Sequence, residues 1–235
     1  MTWHMYERLG AICDALAADK GVRVAVFRGA GGKAFVAGTD IEQFKAFKQG
    51  QEGGADGVAY EARIDAAIER LETLPFATVA AVEGYAVGGG LAIATACDFR
   101  IAAPGSRLGA PIARTVGNCL SPGNVARLAA AFGHARVKRM LLLAELLGAD
   151  EALTCCYLLQ IVEPAVMEDA LGALCAKLSA LAPLTQYATK ETLRCQLLAN
   201  LPDCSDLIRL CYGSGDFRRG IEGFVSGQAP KWKGE

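Results

Sequence analysis

Histidine and tryptophan are scarce in this chain of 235 residues, with two of each, and the nine cysteines include no C-x-x-C pair. A structural zinc site or a disulfide framework needs paired spacings, so neither is expected and no metal ligand set is assigned. The thiols, from Cys13 to Cys211, read as reduced, buried, small apolar side chains of a cytoplasmic protein. Charge of either sign is not in excess: 24 Lys and Arg against 25 Asp and Glu leave a net charge of −1. Such a chain has no bulk attraction for nucleic acid or an anionic membrane. Residues 1–21 show no basic segment followed by an apolar one, so no signal peptide is expected. The most apolar window, Ala77 to Cys97, is broken by Glu83 and four glycines and does not suit a bilayer span.

What is present is apolar material and glycine. Hydrophobic residues make up 52% of the chain, enough for one sizeable core, and 27 glycines imply many turns or close backbone approaches. Met5, Leu9, Ile12 and Leu16 recur at helical spacing. Val22–Phe27, Thr78–Glu83 and Asp98–Ala103 read as buried strands. Between them lie a helical Glu42–Lys48, a helix over Ala59–Leu71 and a small-residue helix over Leu91–Ala96. Residues 49–57, QGQEGGADG, predict a mobile surface loop. From residue 121 onward the pattern is helical, apart from an apolar stretch near Leu158–Val162. Strands interleaved with helices and followed by a helical tail predict an α/β class with a parallel core.

Two backbone features could carry chemistry. Strand Val22–Phe27 passes through a glycine turn into Ala37-Gly38-Thr39-Asp40-Ile41, where Asp40 is placed to cap the following helix. Strand Thr78–Glu83 passes through Gly88-Gly89-Gly90 into a helix whose first N–H groups lack partners and favour an anion. Neither is a Walker A loop, because Gly32-Lys33 is followed by Ala34 and Phe27 stands where the first glycine belongs. G-x-G-x-x-G and G-x-S-x-G are both absent.

Taken in order and about 50 residues apart, the features VRVAVFRGAGGKAFVAGTDI and ATVAAVEGYAVGGGLAIATACDFRIAA, with the C-terminal DFRRGIEGFVSGQAPKWKG, resemble the crotonase (enoyl-CoA hydratase/isomerase) superfamily. The resemblance runs from about residue 5 to the end. It implies a crotonase-like spiral of β-β-α turns over residues 1–133, the acyl-CoA-binding core, and a helical C-terminal trimerisation region over 134–235. It also implies an acyl-CoA thioester as partner, a homotrimer or dimer of trimers, and no cofactor, coenzyme A entering with the substrate. Carried over by position, the N–H groups of Thr39 and Gly89 form an oxyanion hole for a thioester enolate. Each such donor is worth ~3 kcal/mol. The main chain supplies both, so the Thr39 side chain is secondary. Ala37, Asp40, Ile41 and Gly88 fall on the wall for substrate and coenzyme A, and Phe224 and Lys231 resemble residues that close a neighbouring subunit's pocket. The family usually has ~25 further residues ahead of the helix near Trp3, enough for two strands.

The chain departs from the family at its acid–base positions. Hydratases place a glutamate three residues after the central glycine and another just after a proline beyond the third strand. Here these positions are Ala92 and Ile112, and neither can move a proton. Ordinary hydration is therefore in doubt, while isomerase or decarboxylase chemistry, thioester hydrolysis, or a silent acyl-CoA-binding subunit stay open. Asn118 and Ser121 are polar candidates in a turn-rich segment. Glu83 is expected to face outward, and His134 to lie in a helix–helix connection.

Overall fold

The computed structural model describes all 235 residues. Helix α1 (Trp3–Ala18) precedes β1 (Val24–Arg28) and β2 (Ala34–Val36), and a 3-10 turn at Ile41–Ala46 leads to α2 (Gly50–Glu72). The same strand, strand, helix order follows twice more: β3 (Ala77–Val82), β4 (Tyr85–Val87), α3 (Gly89–Ala96), then β5 (Phe99–Ala102), β6 (Arg107–Gly109), α4 (Ile112–Thr115). The first strand of each unit joins one sheet, ordered β1-β3-β5-β8, and the second joins another, ordered β2-β4-β6-β7. This is the β-β-α spiral, with parallel pairing everywhere except between β6 and β7.

The fourth strand of each sheet, β7 (Leu147–Gly148) and β8 (Gln160–Ile161), comes from beyond residue 133. Helices α5 (Pro122–Phe132) and α6 (His134–Leu142) precede them, α7 (Ala149–Thr154) lies between them, and α8 (Met167–Ser179), α9 (Pro183–Leu198), α10 (Ser205–Tyr212) and α11 (Gly215–Ser226) follow. Residue 133 is thus the α5–α6 turn, and the sheets extend past it.

Strand β3 is buried at every position because both its faces are covered. Ala80 and Val82 point into the main core with Ile68, Leu71 and Leu91, while Ala77, Val79 and Ala81 pack under Met167, Leu171 and Leu178 of α8. A third cluster joins Phe44, Tyr212 and Phe217. The cysteines form no disulfide, but only Cys13 and Cys97 are buried, and Cys156 and Cys195 are exposed. No helix is long and apolar enough to cross a membrane.

The expected loop at residues 49–57 is instead the start of α2. Gly53, Gly54 and Gly57 are buried on one face of it. A Cβ on Gly54 would stand 2.9 Å from the Arg209 carbonyl, and one on Gly57 would fall on the Tyr212 side chain. Glycine weakens the helix by ~1 kcal/mol per residue relative to alanine, and here it permits the backbone of α10 to come close. Glu83 also departs from expectation: it is buried and paired with Arg28 at 2.8 Å.

Candidate active site

Strands β2 and β4 are parallel neighbours, with Val36 opposite Ala86, so the loops leaving them lie side by side. Gly38 and Gly88 have φ of 125° and 56°, which side chains rarely adopt. A Cβ on Gly88 would lie 4.0 Å from the Gly38 Cα, and one on Gly89 would lie 3.4 Å from Thr39 Oγ1. The two turns therefore converge. The Thr39 N–H donates to no acceptor in the chain. Gly89 begins α3, so its N–H has no acceptor within that helix. The adjacent amides are engaged: Gly88 N donates to Gly109 O at 2.9 Å and Asp40 N to Met1 O at 2.8 Å.

A single cavity is lined by Ala37, Gly38, Thr39, Ile41, Gly88, Gly89, Ala92, Ile112 and Asn118. Of the residues expected at the site, Asp40, Ser121 and Lys231 lie outside this lining. Asp40 caps the 3-10 turn, its Oδ1 accepting from Glu42 N at 3.2 Å. Phe224 of α11 lines the cavity of its own chain, whereas the resemblance gave it to a neighbouring subunit. Ser121 caps α5 and His134 opens α6, both structural positions. The hydrogen bond shared with Cys211, and then burial, push the Cys119 thiol up, away from a nucleophilic thiolate. No three His, Cys, Asp or Glu side chains gather as a metal cluster.

The Thr39 side chain does more than the sequence indicated. Its Oγ1 lies 2.9 Å from Tyr6 Oη and 3.0 Å from Tyr60 Oη, bridging α1 and α2. Burial pushes Tyr6 up to about 12 and Tyr60 well above its ordinary range, so both phenols stay neutral. This bridge fixes the loop that carries the Thr39 amide.

A residue overlooked at the sequence level also lines the cavity. Glu61 of α2 is 3% exposed. Tyr212 Oη donates to its Oε1 at 2.6 Å, and Ser121 N donates to its Oε2 at 2.9 Å. Asn118 Nδ2 in turn donates to Tyr212 Oη at 3.0 Å, leaving Asn118 Oδ1 buried without a partner. Burial pushes the Glu61 carboxyl up to about 7 and nearby Asp65 adds to this, while the Tyr212 and Ser121 donors oppose it. The sequence held a signal for it. Gly57, Glu61, Ile64, Ile68 and Leu71 form the buried stripe of α2, and a lone carboxylate on such a stripe needs a reason.

Similar proteins bear on what this arrangement serves. The enoyl-CoA hydratase/isomerase family model matches residues 2–235. A short-chain-enoyl-CoA hydratase of Clostridium acetobutylicum is 31% identical over 215 residues, 88% of this chain and 78% of that protein. The crystal structure of an enoyl-CoA hydratase/carnithine racemase from Magnetospirillum magneticum matches with a TM-score of 0.77 at 27% identity, over 100% of this chain and 87% of that one. A methylmalonyl-CoA decarboxylase in complex with 2-nitronate-propionyl-CoA has the same fold, with a TM-score of 0.86 at 24% identity over 98% of this chain and 88% of that one. With a family match from residue 2 to the last, the chain belongs to the enoyl-CoA hydratase/isomerase family.

Proposed function

We propose that the chain binds an acyl-CoA thioester and stabilises its enolate with the N–H groups of Thr39 and Gly89. The observation that carries this reading is the convergence of two glycine turns that leave the Thr39 amide without an acceptor beside the first amide of α3. Negative charge that develops on the thioester oxygen meets donors fixed in advance. Ala37, Gly88 and Ile41 form the substrate wall, while Asp40 acts as a cap behind it. No cofactor is required, since coenzyme A arrives with the substrate. Ala92, Ile112, Ile64 and Leu120 make the acyl end of the cavity apolar, which suits an unfunctionalised chain.

With Ala92 and Ile112 at the usual acid–base positions, a two-carboxylate addition of water is disfavoured, and isomerisation or decarboxylation is the reaction class proposed. The same two positions support a second reading, an acyl-CoA-binding subunit without turnover. For assembly we propose a homotrimer or a dimer of trimers. Helix α9 buries none of its residues, and Leu184 on it is 80% exposed.

Calorimetry with butyryl-CoA and with a nitronate analogue that mimics the enolate tests the reading. The nitronate is expected to bind at least ~100-fold more tightly. Equal affinities would remove the oxyanion hole, and no binding of either would remove the acyl-CoA assignment.

A further inference from the structure

We propose that Glu61 is the catalytic residue that carries the substrate proton at this site, from α2 and not from the positions of Ala92 or Ile112. The proposal rests on the acyl-CoA reading above and adds to it the group that moves the proton.

Tyr60 and Glu61 are the cavity's only titratable side chains, and burial holds the Tyr60 phenol well above the neutral range. No lining residue supplies an imidazole, a thiol or an amine. The carboxyl is held in place by one donor on each oxygen, Tyr212 Oη on Oε1 and Ser121 N on Oε2. Each oxygen keeps a further lone pair. The titratable groups around it are Asp65 and Tyr60 on its own helix, Tyr212 from α10, Tyr6 from α1 and Cys119 from the segment before α5. The nearby cation, Arg127, is paired with Glu72 and Asp65. A carboxyl that titrates near neutrality can both take and return a proton.

The step balances without a co-reactant. A Glu61 carboxylate oxygen takes the proton from the carbon next to the thioester. The C–H electron pair becomes the enolate C=C bond, and the charge passes to the thioester oxygen between the Thr39 and Gly89 amides. The carboxylic acid then returns its proton to the same carbon or, where the substrate has a β,γ double bond, to the γ carbon. The second route converts a 3-enoyl thioester into a 2-enoyl thioester, which gives an allylic proton shift as the reaction class.

Exchange of the α-protons of butyryl-CoA in D2O, followed by proton NMR on the full chain, tests this. Wild-type protein is expected to exchange them, and Glu61→Gln to do so at least ~100-fold more slowly while binding butyryl-CoA with unchanged affinity. Tyr212→Phe guards against a folding artefact. It is expected to fold, to bind butyryl-CoA and to exchange more slowly than wild type but faster than Glu61→Gln, with the pH midpoint moved upward because a donor to the carboxylate is lost. Wild-type exchange by Glu61→Gln, or an unmoved midpoint in Tyr212→Phe, would overturn the role of Glu61 alone. A wild type that binds but does not exchange would also overturn it. A wild type that binds no CoA ester would instead end the underlying reading.

Discussion

The Tyr212 hydroxyl donates a 2.6 Å hydrogen bond to Glu61, joining side chains 151 positions apart in the chain. The close seat of α10 on the glycine face of α2 makes this bond possible, and it orients a buried acid toward the cavity.

Glu61 gives the folded protein a pH signature. Its carboxyl titrates at about 7 in the fold against 4.5 ordinarily, so between those values the unfolded chain releases a proton that the folded chain keeps. Stability is therefore full below the lower value, falls as pH rises through this window, and stays reduced above it. The loss amounts to about 3 kcal/mol. Urea unfolding across the window is expected to show this fall in wild type and not in Glu61→Gln.

The glycines of α2 and α8 should respond to alanine in opposite directions. Gly57→Ala drives a methyl into Tyr212 and is expected to destabilise the fold by about 1–3 kcal/mol. Gly172→Ala, in α8 with nothing within 4 Å of the new Cβ, is expected to stabilise it by about 0.5–1 kcal/mol. Thermal denaturation of the two variants side by side checks the contrast.

Thr39→Val keeps the backbone amide but removes the hydroxyl between Tyr6 and Tyr60. Leaving buried phenols short of a partner costs about 1–3 kcal/mol. A lower melting temperature is expected, with Thr39→Ser close to wild type. Equal melting temperatures for valine and serine would show that the bridge contributes nothing.

Arg127 grips Glu72 with two 2.7 Å bonds, and its side chain is 5% exposed. Arg127→Ala strands a largely buried carboxylate, 12% exposed, and is expected to cost about 3 kcal/mol in equilibrium unfolding. A cost under about 1 kcal/mol, the range of exposed pairs, would contradict this.

Much of the fold was legible because its punctuation is local. Val22–Phe27 and Thr78–Glu83 fall within a residue or two of β1 and β3, and the glycine turns after β2 and β4 mark where the chain must bend. The start of α2 was hidden because Gly53, Gly54 and Gly57 have the composition of a loop, and the reason for them is a helix 150 residues away. Glu61 was hidden for a related reason. Its partners are Ser121 and Tyr212, which nothing in the neighbourhood of residue 61 announces. Ala92 and Ile112 were legible only through the resemblance, and both line the cavity that Glu61 enters from α2.

Tyr60 and Glu61 are consecutive on one rod. The first ties that rod to the strand-end loop bearing Thr39, and the second puts a carboxyl in the same chamber. Any axial slip or roll of α2 is thus felt at both places together, and neither can be retuned without disturbing the other. Substitutions at its seat against α10 will shift the Thr39 loop and the Glu61 carboxyl together although they touch neither.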